Sequence, residues 1–402
     1  MYDGYLKLGN VEVMNRARTA KYVTDHTSNI AVKCLDEELP VALGHLPYTD
    51  PETDGAPWWK GARLATARFF GLYPGKIEGA ENSTRGVTVS ELSGDGAVMT
   101  APRYGSAELR VVATAFAADE EAMHEGISWL RDVLANDGCS DADLGCTGRT
   151  AELFAALPGD YVDAYGLIRS FYRVEVTEGP LVTRKFNSKY AVMWQIEFTL
   201  TAGIPWAFTS LDPVAELNMD NGTNFQDPAG EDCSTAVNAY DNFVADPYFT
   251  AISRPPRPPV ILPPNLLNIT SWRRLIVGLP EAQTVRWGRT IPIVHVLTGA
   301  EDAQYIRMRF YRDGFNGCDY DGEFLISYIP ANCTLSLNGI TREATLTLPD
   351  GRVVAAGHLL FGSAGRPFIW PTLGCQYKYA MTADLMPGQP GVVITLDTAV
   401  RE

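Results

Sequence analysis

The chain has 402 residues, enough for two or three domains, and its hydrophobic content of 46% can fill sizeable cores. Its 36 glycines and 26 prolines favour many turns and short strands over a helical protein. The formal net charge is −15, and because affinity for a phosphate backbone comes from lysine and arginine, this balance argues against nucleic-acid binding.

The acidity is unevenly distributed along the chain. The formal net charge is −9 over residues 1–200, −8 over residues 201–250 and +2 over residues 251–402. The sequence shows neither the basic start nor the apolar run of a signal peptide, and it has no apolar run long enough to span a bilayer. We therefore expect synthesis in the cytoplasm without membrane insertion.

Two adjacent tryptophans close an interval rich in proline and glycine. Residues 46–59 contain three prolines ahead of Trp58 and Trp59, which predicts an ordered loop that ends on an aromatic plug. We interpret the pair as covering the edge of a core, with an exposed binding anchor as the alternative.

A strand that leads directly into a helix is predicted over residues 108–135. Apolar residues alternate over 108–116, and from Asp119 the apolar spacing changes to that of an amphipathic helix, 119–135, with Asp119 as its N-cap. The buried side chains are predicted to be Leu109, Val111, Ala113 and Ala115 on the strand, and Met123, Ile127, Leu130 and Leu134 on the helix.

The seven cysteines are scattered and match neither a disulfide scaffold nor a zinc motif. Cys139 and Cys146 enclose an acidic loop for which three interpretations stay open. They are a polar loop with two bystander thiols, a disulfide formed after release from the cell, and a metal site.

The clearest β pattern lies between residues 168 and 200. Alternation over 168–177 and again over 192–200 predicts two strands of one sheet. Residues 179–189 exceed the length of a hairpin connection and predict a long loop. Two interpretations stay open, a loop that lies on an acidic neighbour and a flexible surface loop without a partner. The candidate contact residues of this loop are Arg184, Lys185, Phe186 and Lys189.

Residues 207–264 are predicted to be a linker or insert, first acidic and then rich in proline. Residues 201–250 hold eight acidic and no basic residues, and charge of one sign disfavours compaction. The prolines of residues 254–264 stiffen the chain into a semi-rigid spacer, which marks a domain boundary.

An antiparallel β domain is predicted over residues 265–402. Strands are expected at 291–297, 306–310 and 323–329. Asn338-Gly339 predicts a two-residue turn and Asp350-Gly351 a slightly longer hairpin.

Several polar residues of this domain invite a functional interpretation. His295 shares a predicted strand face with isoleucines, so a satisfied core histidine is favoured over a catalytic one. Asp319, Asp321 and Glu323 resemble part of a calcium loop but lack the full ligand series, which favours a polar turn.

Sequence motifs of common enzyme classes are missing. The chain has no nucleophile elbow, zinc-protease helix, phosphate-binding loop or dinucleotide fingerprint. We predict that it is not an enzyme, and we assign no catalytic residue, cofactor or metal.

Three segments together resemble a known family. Ala101-Pro-Arg-Tyr-Gly-Ser106 precedes the predicted strand, residues 117–134 form the strand exit and helix, and residues 194–206 form a closing strand that ends at Pro205-Trp206. Their order resembles minor tail proteins of long-tailed phages (siphoviruses) of actinobacteria, in particular the distal tail protein family. The resemblance covers residues 1–206.

The resemblance implies a mainly β fold with one packed helix. Residues 1–206 would form an α+β belt-type β-sandwich that assembles as a homo-oligomeric ring, commonly a hexamer. Residues 265–402 would form a second antiparallel β-sandwich, galectin-like or carbohydrate-module-like.

The function implied is that of a structural virion component at the phage tail tip, which joins the tail tube to the tail-tip (baseplate) proteins. The implied partners are other copies of the chain, the tail tube protein, the tail-tip hub and other minor tail proteins. The alternative is a receptor-binding or cell-wall-glycan-binding module that acts through the C-terminal sandwich. The family has no catalytic residues to carry over.

Overall fold

The computed structural model describes most of the chain in separate ranges. They are 2–27, 39–40, 43–44, 47–82, 85–93, 95–101, 103–135, 148–155, 167–188, 191–226, 271–279, 289–312, 320–361, 368–374, 377–386 and 388–401. The predictions for Cys139, Cys146, Lys189, Asp319 and the proline-rich segment 254–264 lie outside the described residues.

The chain divides into two compact units. The first comprises Met1–Ser210 with Arg401–Glu402, and the second comprises Leu211–Val400. The described residues are mainly β, with several antiparallel sheets, which confirms the predicted fold class at this level. No helix among them is long and apolar enough to cross a membrane.

Among the described residues, the elements of the first unit with given bounds are the helices α1 and α2 and the strands β1 to β12. The helices are α1 (Arg16–His26) and α2 (Glu120–Ala135). The strands are β1 (Tyr2–Leu8), β2 (Val11–Asn15), β3 (Phe69–Glu78), β4 (Arg85–Gly86), β5 (Val89–Glu91), β6 (Ala97–Met99), β7 (Arg103–Tyr104), β8 (Ala107–Ala117), β9 (Arg149–Ala155), β10 (Ile168–Asn187), β11 (Val192–Ala202) and β12 (Phe208–Thr209).

β10 is the strand that links the two halves of this unit. Its first part pairs with β9, which continues to β1 and β2, and it also pairs with β12. Its second part pairs with β11, which continues through β8 to β3. All of these pairings are antiparallel, and their inward faces enclose one apolar core.

The predicted strand and helix of residues 108–135 are confirmed as β8 and α2. The four predicted strand residues are fully buried, and the Asp119 carboxylate accepts a hydrogen bond of 2.9 Å from the Ala122 amide, as an N-cap does. Ile127 and Leu130 lie in the core. Gly126 permits the close approach of α2, because a Cβ there would lie 2.3 Å from the Phe69 ring.

Helix α1 was missed by the sequence patterns. Its N-cap is Asn15, whose side chain accepts from the Arg18 amide, and it buries Tyr22 and Val23. Arg18 is also buried and pairs with Glu12 at 2.9 Å. Because this charged residue lies on the inward face, the helix shows no clean apolar stripe in the sequence.

Trp58 occupies the centre of an aromatic cluster, which confirms the core interpretation for this residue. Its ring makes edge contacts with Phe69 at 5.3 Å and Trp129 at 5.5 Å between centroids. Its indole N–H donates to the Phe69 carbonyl at 2.9 Å. Trp59 is partly buried against the same core.

The predicted loop at residues 179–189 was wrong, since β10 continues as a strand to Asn187. The register skips Gly179 and Pro180, so that Glu178 pairs with Thr199 and Leu181 with Glu197. Proline is tolerated because it stands at a bulge of a strand that is paired on one side only in this part. Just beyond Asn187, the Ser188 amide donates to the Ala191 carbonyl at 3.0 Å.

The second unit contains β13 to β24. These are β13 (Asp212–Asn218), β14 (Thr223–Gln226), β15 (Ser271–Gly278), β16 (Arg289–Leu297), β17 (Ala303–Arg312), β18 (Tyr320–Ile329), β19 (Thr334–Asn338), β20 (Glu343–Thr347), β21 (Val353–Ala355), β22 (Leu360–Phe361), β23 (Tyr379–Leu385) and β24 (Val393–Arg401), the last of which ends in the first unit. β13 and β14 fall within the predicted linker 207–264 and pair with β24 and β15 of the second unit, whereas β12, also within it, pairs with β10 of the first unit.

Two antiparallel strand sets share the apolar core of this unit. One runs β13-β24-β16-β19-β20-β21 and the other β14-β15-β23-β17-β18-β22. The three predicted strands correspond to β16, β17 and β18. The Asp350-Gly351 hairpin is confirmed, whereas Asn338 and Glu343 pair directly and leave four residues between the strands instead of two.

The core assignment of His295 was wrong. The core face of β16 carries Val294 and Val296, so His295 points the other way and is partly exposed. Its Nδ1 lies 3.0 Å from the Ser336 hydroxyl. Asp321 and Glu323 lie in β18, where they pair with Arg312 and Arg309.

Candidate subunit-contact surfaces

Arg184, Lys185 and Phe186 lie together at the end of β10, and we call them the basic end. All three side chains are exposed, Phe186 by 59%. They pair in register with Gln195, Trp194 and Met193 of β11, so strand pairing fixes their positions.

The basic end is held by contacts to β11 and α2. The Lys185 ammonium lies 4.0 Å from the centroid of the buried Trp194 ring. The Trp194 indole donates to the Asn187 side chain at 3.2 Å, and Asn187 in turn donates to Glu120 in the first turn of α2. Among the described residues, the Arg184 guanidinium has no hydrogen-bond or ion-pair partner.

The acidic start of α2 lies beside the basic end, and two of its carboxylates are already paired. Arg68 bridges Asp119 at 2.7 Å and Glu121 at 2.9 Å. Glu120 accepts the hydrogen bond from Asn187. The positive charges of Arg184 and Lys185 are therefore open to an external carboxylate.

The sequence patterns missed a second surface, a β-ribbon between Arg85 and Tyr104. β4 pairs with β7 and β5 with β6, both antiparallel, and these strands pair with no others among the described residues. Val89 and Met99 stand opposite each other and are 52% and 68% exposed, and Val98 on the other face is 57% exposed. An isolated two-stranded ribbon is only marginally stable in water.

The base of the ribbon is anchored to the first unit. Tyr104 contacts the Trp206 ring at 5.1 Å between centroids. The guanidinium groups of Arg85 and Arg401 stack on Tyr104 and Trp206, at 5.0 and 4.2 Å. The ribbon tip carries Glu91 and Asp95, both exposed, and neither has a hydrogen-bond or ion-pair partner among the described residues.

A sequence signal for the ribbon existed. Val-Ser-Glu and Ala-Val-Met flank the turn segment Ser93-Gly-Asp-Gly96, which is the pattern of a hairpin. Its apolar residues are few and occur on both faces, so alternation alone does not separate it from a polar loop.

The basic end and the ribbon lie at opposite ends of the same sheet. Ala117 of β8 pairs with Val192, next to the basic end, whereas Ala107 pairs with Ala202, next to the ribbon. β8 has 11 residues between these ends. At about 3.4 Å per residue, the two surfaces are separated by about 35 Å.

The second unit carries an exposed charged and aromatic cluster. Arg312 donates to both carboxylate oxygens of Asp321, at 2.7 and 2.8 Å, and its guanidinium lies 4.1 Å from the Tyr377 ring centroid. The Tyr379 hydroxyl donates to Asp321 at 2.6 Å, and burial together with this bond raises the pKa of Tyr379 to about 12. Burial opposes ionisation of Asp321, but the bonds from Tyr379 and Arg312 prevail and lower its pKa.

The described residues contain no group of three or more histidine, cysteine, aspartate or glutamate side chains that could hold a metal ion. Comparison of the sequence with protein-family models finds no match. Comparison with curated proteins also finds none.

Solved structures of phage proteins do match this chain. The crystal structure of the Dit protein of phage SPP1, described as a paradigm of hub adsorption apparatus in phages that infect Gram-positive bacteria, aligns over 83% of this chain and 95% of its own, with 12% identity and a TM-score of 0.40. Structures of the phage p2 baseplate in its activated conformation, with strontium and with calcium, align over 81% of this chain and 90% of theirs, with 7% identity and a TM-score of 0.38. Likenesses of this size do not establish a family, so the function below is argued from this chain's own residues.

Proposed function

We propose that this chain is a structural component of a phage tail tip, of the distal tail protein type. In this proposal several copies form a closed ring, six-fold in the assembled virion, that joins the tail tube to the tail-tip hub and other minor tail proteins. The first unit supplies the ring as a belt-type β-sandwich, and the second unit is a β-sandwich attached to it. The phage would be a siphovirus that infects actinobacteria.

The observation that carries the proposal is the separation of two different contact surfaces on the first unit. The basic end and the ribbon stand about 35 Å apart, by the length of β8, at opposite ends of one sheet. Two distinct surfaces suit a heterologous contact, in which one surface of a copy meets the other surface of the next. Such a contact leaves no exposed end when rotation closes it into a ring, which matches a tubular tail.

The segments that resemble distal tail proteins occupy the elements that hold these surfaces. Residues 101–106 include β7, the last strand of the ribbon, and lead to β8, and residues 194–206 run from the partner of Lys185 to the tryptophan that anchors Tyr104. The family resemblance and the contact surfaces therefore concern the same part of the chain.

The assembly state of the full chain tests this function. We expect native mass spectrometry and light scattering to show one discrete oligomer that grows with protein concentration, and negative-stain images to show rings. Antibody labelling of purified virions should mark the tail tip. A chain that stays monomeric at all concentrations, together with virions that carry no label at the tip, contradicts the proposal.

A second candidate function is recognition of host cell-wall glycan by the second unit, and the Arg312 cluster favours it. A partly exposed tyrosine beside a fixed arginine–aspartate pair offers a stacking face and hydrogen-bonding groups, the combination that polar ligands require. We expect the full chain to be retained on cell-wall polysaccharide and Tyr377→Ala to reduce retention. Equal retention of the variant and of Tyr328→Ala, an exposed tyrosine outside the cluster, would assign the binding elsewhere.

A further inference from the structure

The ribbon has the composition of a contact surface with one defined partner. Its exposed side chains combine an apolar part, with Val89, Val98 and Met99, and an acidic tip with Glu91 and Asp95. A two-stranded ribbon gains stability when its apolar side chains are covered. The free carboxylates at its tip select a basic surface.

The basic end has the complementary composition. Phe186 and Leu181 are exposed large apolar side chains on the same strand as Arg184 and Lys185. The two positive charges of Arg184 and Lys185 equal the two negative charges of the ribbon tip in number and are opposite in sign. Met193 stands beside Phe186 on the adjacent strand and extends the apolar part.

One chain cannot bring its own ribbon to its own basic end. The ribbon leaves the sheet where Glu78 of β3 and Ala107 of β8 stand, and the basic end lies beyond Ala117 at the other end of β8. The ribbon strands from Arg85 to Glu91 span about 20 Å, less than the sheet length of about 35 Å, and the ribbon base is fixed at Tyr104. A contact between these two surfaces therefore needs a second copy of the chain.

We infer that the ribbon of one copy docks on the basic end of the next copy, with Glu91 and Asp95 facing Arg184 and Lys185, and Val89 and Met99, which share one face of the ribbon, packing near Phe186. This inference rests on the proposed ring and names the contact that closes it. The same contact repeats between all neighbours, since each copy offers a ribbon on one side and a basic end on the other.

Charge reversal in the full chain tests the contact. Arg184→Glu with Lys185→Glu, or Glu91→Lys with Asp95→Lys, should raise the protein concentration needed for half-assembly by at least about tenfold at low salt. The variant with all four substitutions should regain assembly. Lys60→Glu with Arg131→Glu reverses two exposed charges elsewhere in the first unit and should assemble like the wild type.

Mixing the two half-reversed variants provides a second test. In a ring that alternates the two variants, each acidic ribbon meets a basic end and each basic ribbon meets an acidic end. An equimolar mixture should therefore assemble where neither variant does alone. Circular dichroism should show that all variants keep the wild-type fold, because the substituted side chains are exposed.

The outcomes separate the contact from the proposed function. Rings that form equally well in the half-reversed variants overturn the contact and leave the ring function standing. A reduced assembly that neither the fourfold variant nor the mixture restores also overturns the pairing of these charges. A wild-type chain that forms no ring, in solution or at the tail tip, overturns the proposed function itself.

Discussion

Two parts of the first unit place similar apolar side chains on strands, with opposite results. In β8, Leu109 and Val111 are fully buried in the core that β8 shares with α2 and the neighbouring strands. In the ribbon, Val89 and Met99 face each other across two strands and remain more than half exposed. Residue type therefore does not decide burial, and the presence of a second layer does.

This difference in burial predicts that the two parts contribute to different properties, β8 and α2 to the stability of the chain and the ribbon to its assembly. The β8–α2 layer buries its apolar area within one chain, so substitutions there change the free energy of unfolding. The ribbon has that area left to bury, so substitutions there change the free energy of association. The following predictions test this separation, beginning with the largest effect.

Ile127→Asp should destabilise the first unit by about 5 kcal/mol or more, because it removes a core side chain and buries a carboxylate without a partner. Ile127 lies in the core on the inward face of α2. The measurement is chemical denaturation followed by tryptophan fluorescence. Glu125→Ala on the same helix removes only a partly exposed ion pair with Arg63 and should cost less than about 1 kcal/mol. Equal effects would mean that the buried face is assigned wrongly.

Trp58→Ala should cost about 3–5 kcal/mol, because it empties the centre of the aromatic cluster. Trp58→Phe keeps part of the packing and leaves the Phe69 carbonyl without its indole donor, which should cost less. Thermal unfolding of the two variants and the wild type gives the order. A Trp58→Ala chain as stable as the wild type would place this residue outside the core.

Val89→Ser with Met99→Ser should leave the unfolding free energy within about 1 kcal/mol of the wild type, because both side chains are exposed and only their cross-strand pair is lost. The same variant should assemble less well, since its ribbon has less apolar area to bury. Leu64→Ser, at an exposed leucine outside the ribbon, is the matched control and should assemble normally. Native mass spectrometry measures the oligomer. A loss of stability with unchanged assembly would reverse the roles assigned to the two parts.

The first unit should become less stable to unfolding at alkaline pH. Burial and the hydrogen bond that Tyr22 donates to Asp54 raise the pKa of Tyr22 above its ordinary value of 10.0. The folded state therefore holds this proton more tightly than the unfolded state, and stability is fully present below about pH 10 and falls as pH rises above it. Tyr22→Phe should reduce the slope of unfolding free energy against pH in that range. An unchanged slope would show that other groups cause the alkaline loss.

The sequence by itself determined those elements whose apolar residues recur with the regular spacing of one strand or one helix. β8 and α2 follow from the change of period at Asp119, because side chains alternate in a strand and recur every three to four residues in a helix. The strands of the second unit followed from alternation in the same way, with errors at turns such as the one after Asn338, where the loop length depends on strand register.

The tertiary structure decided which elements lack an inner partner and where the candidate contact residues stand. Arg184, Lys185 and Phe186 were predicted as contact residues from composition, but Pro180 concealed the strand that holds them, because proline breaks a central strand and is tolerated at a bulge. The ribbon was not predicted from the sequence, because its apolar residues do not pack in a core and show no one-sided alternation. The distance between the ribbon and the basic end depends on the register of β8 against β11, which pairs residues about 85 positions apart in the chain and leaves no local trace in the sequence.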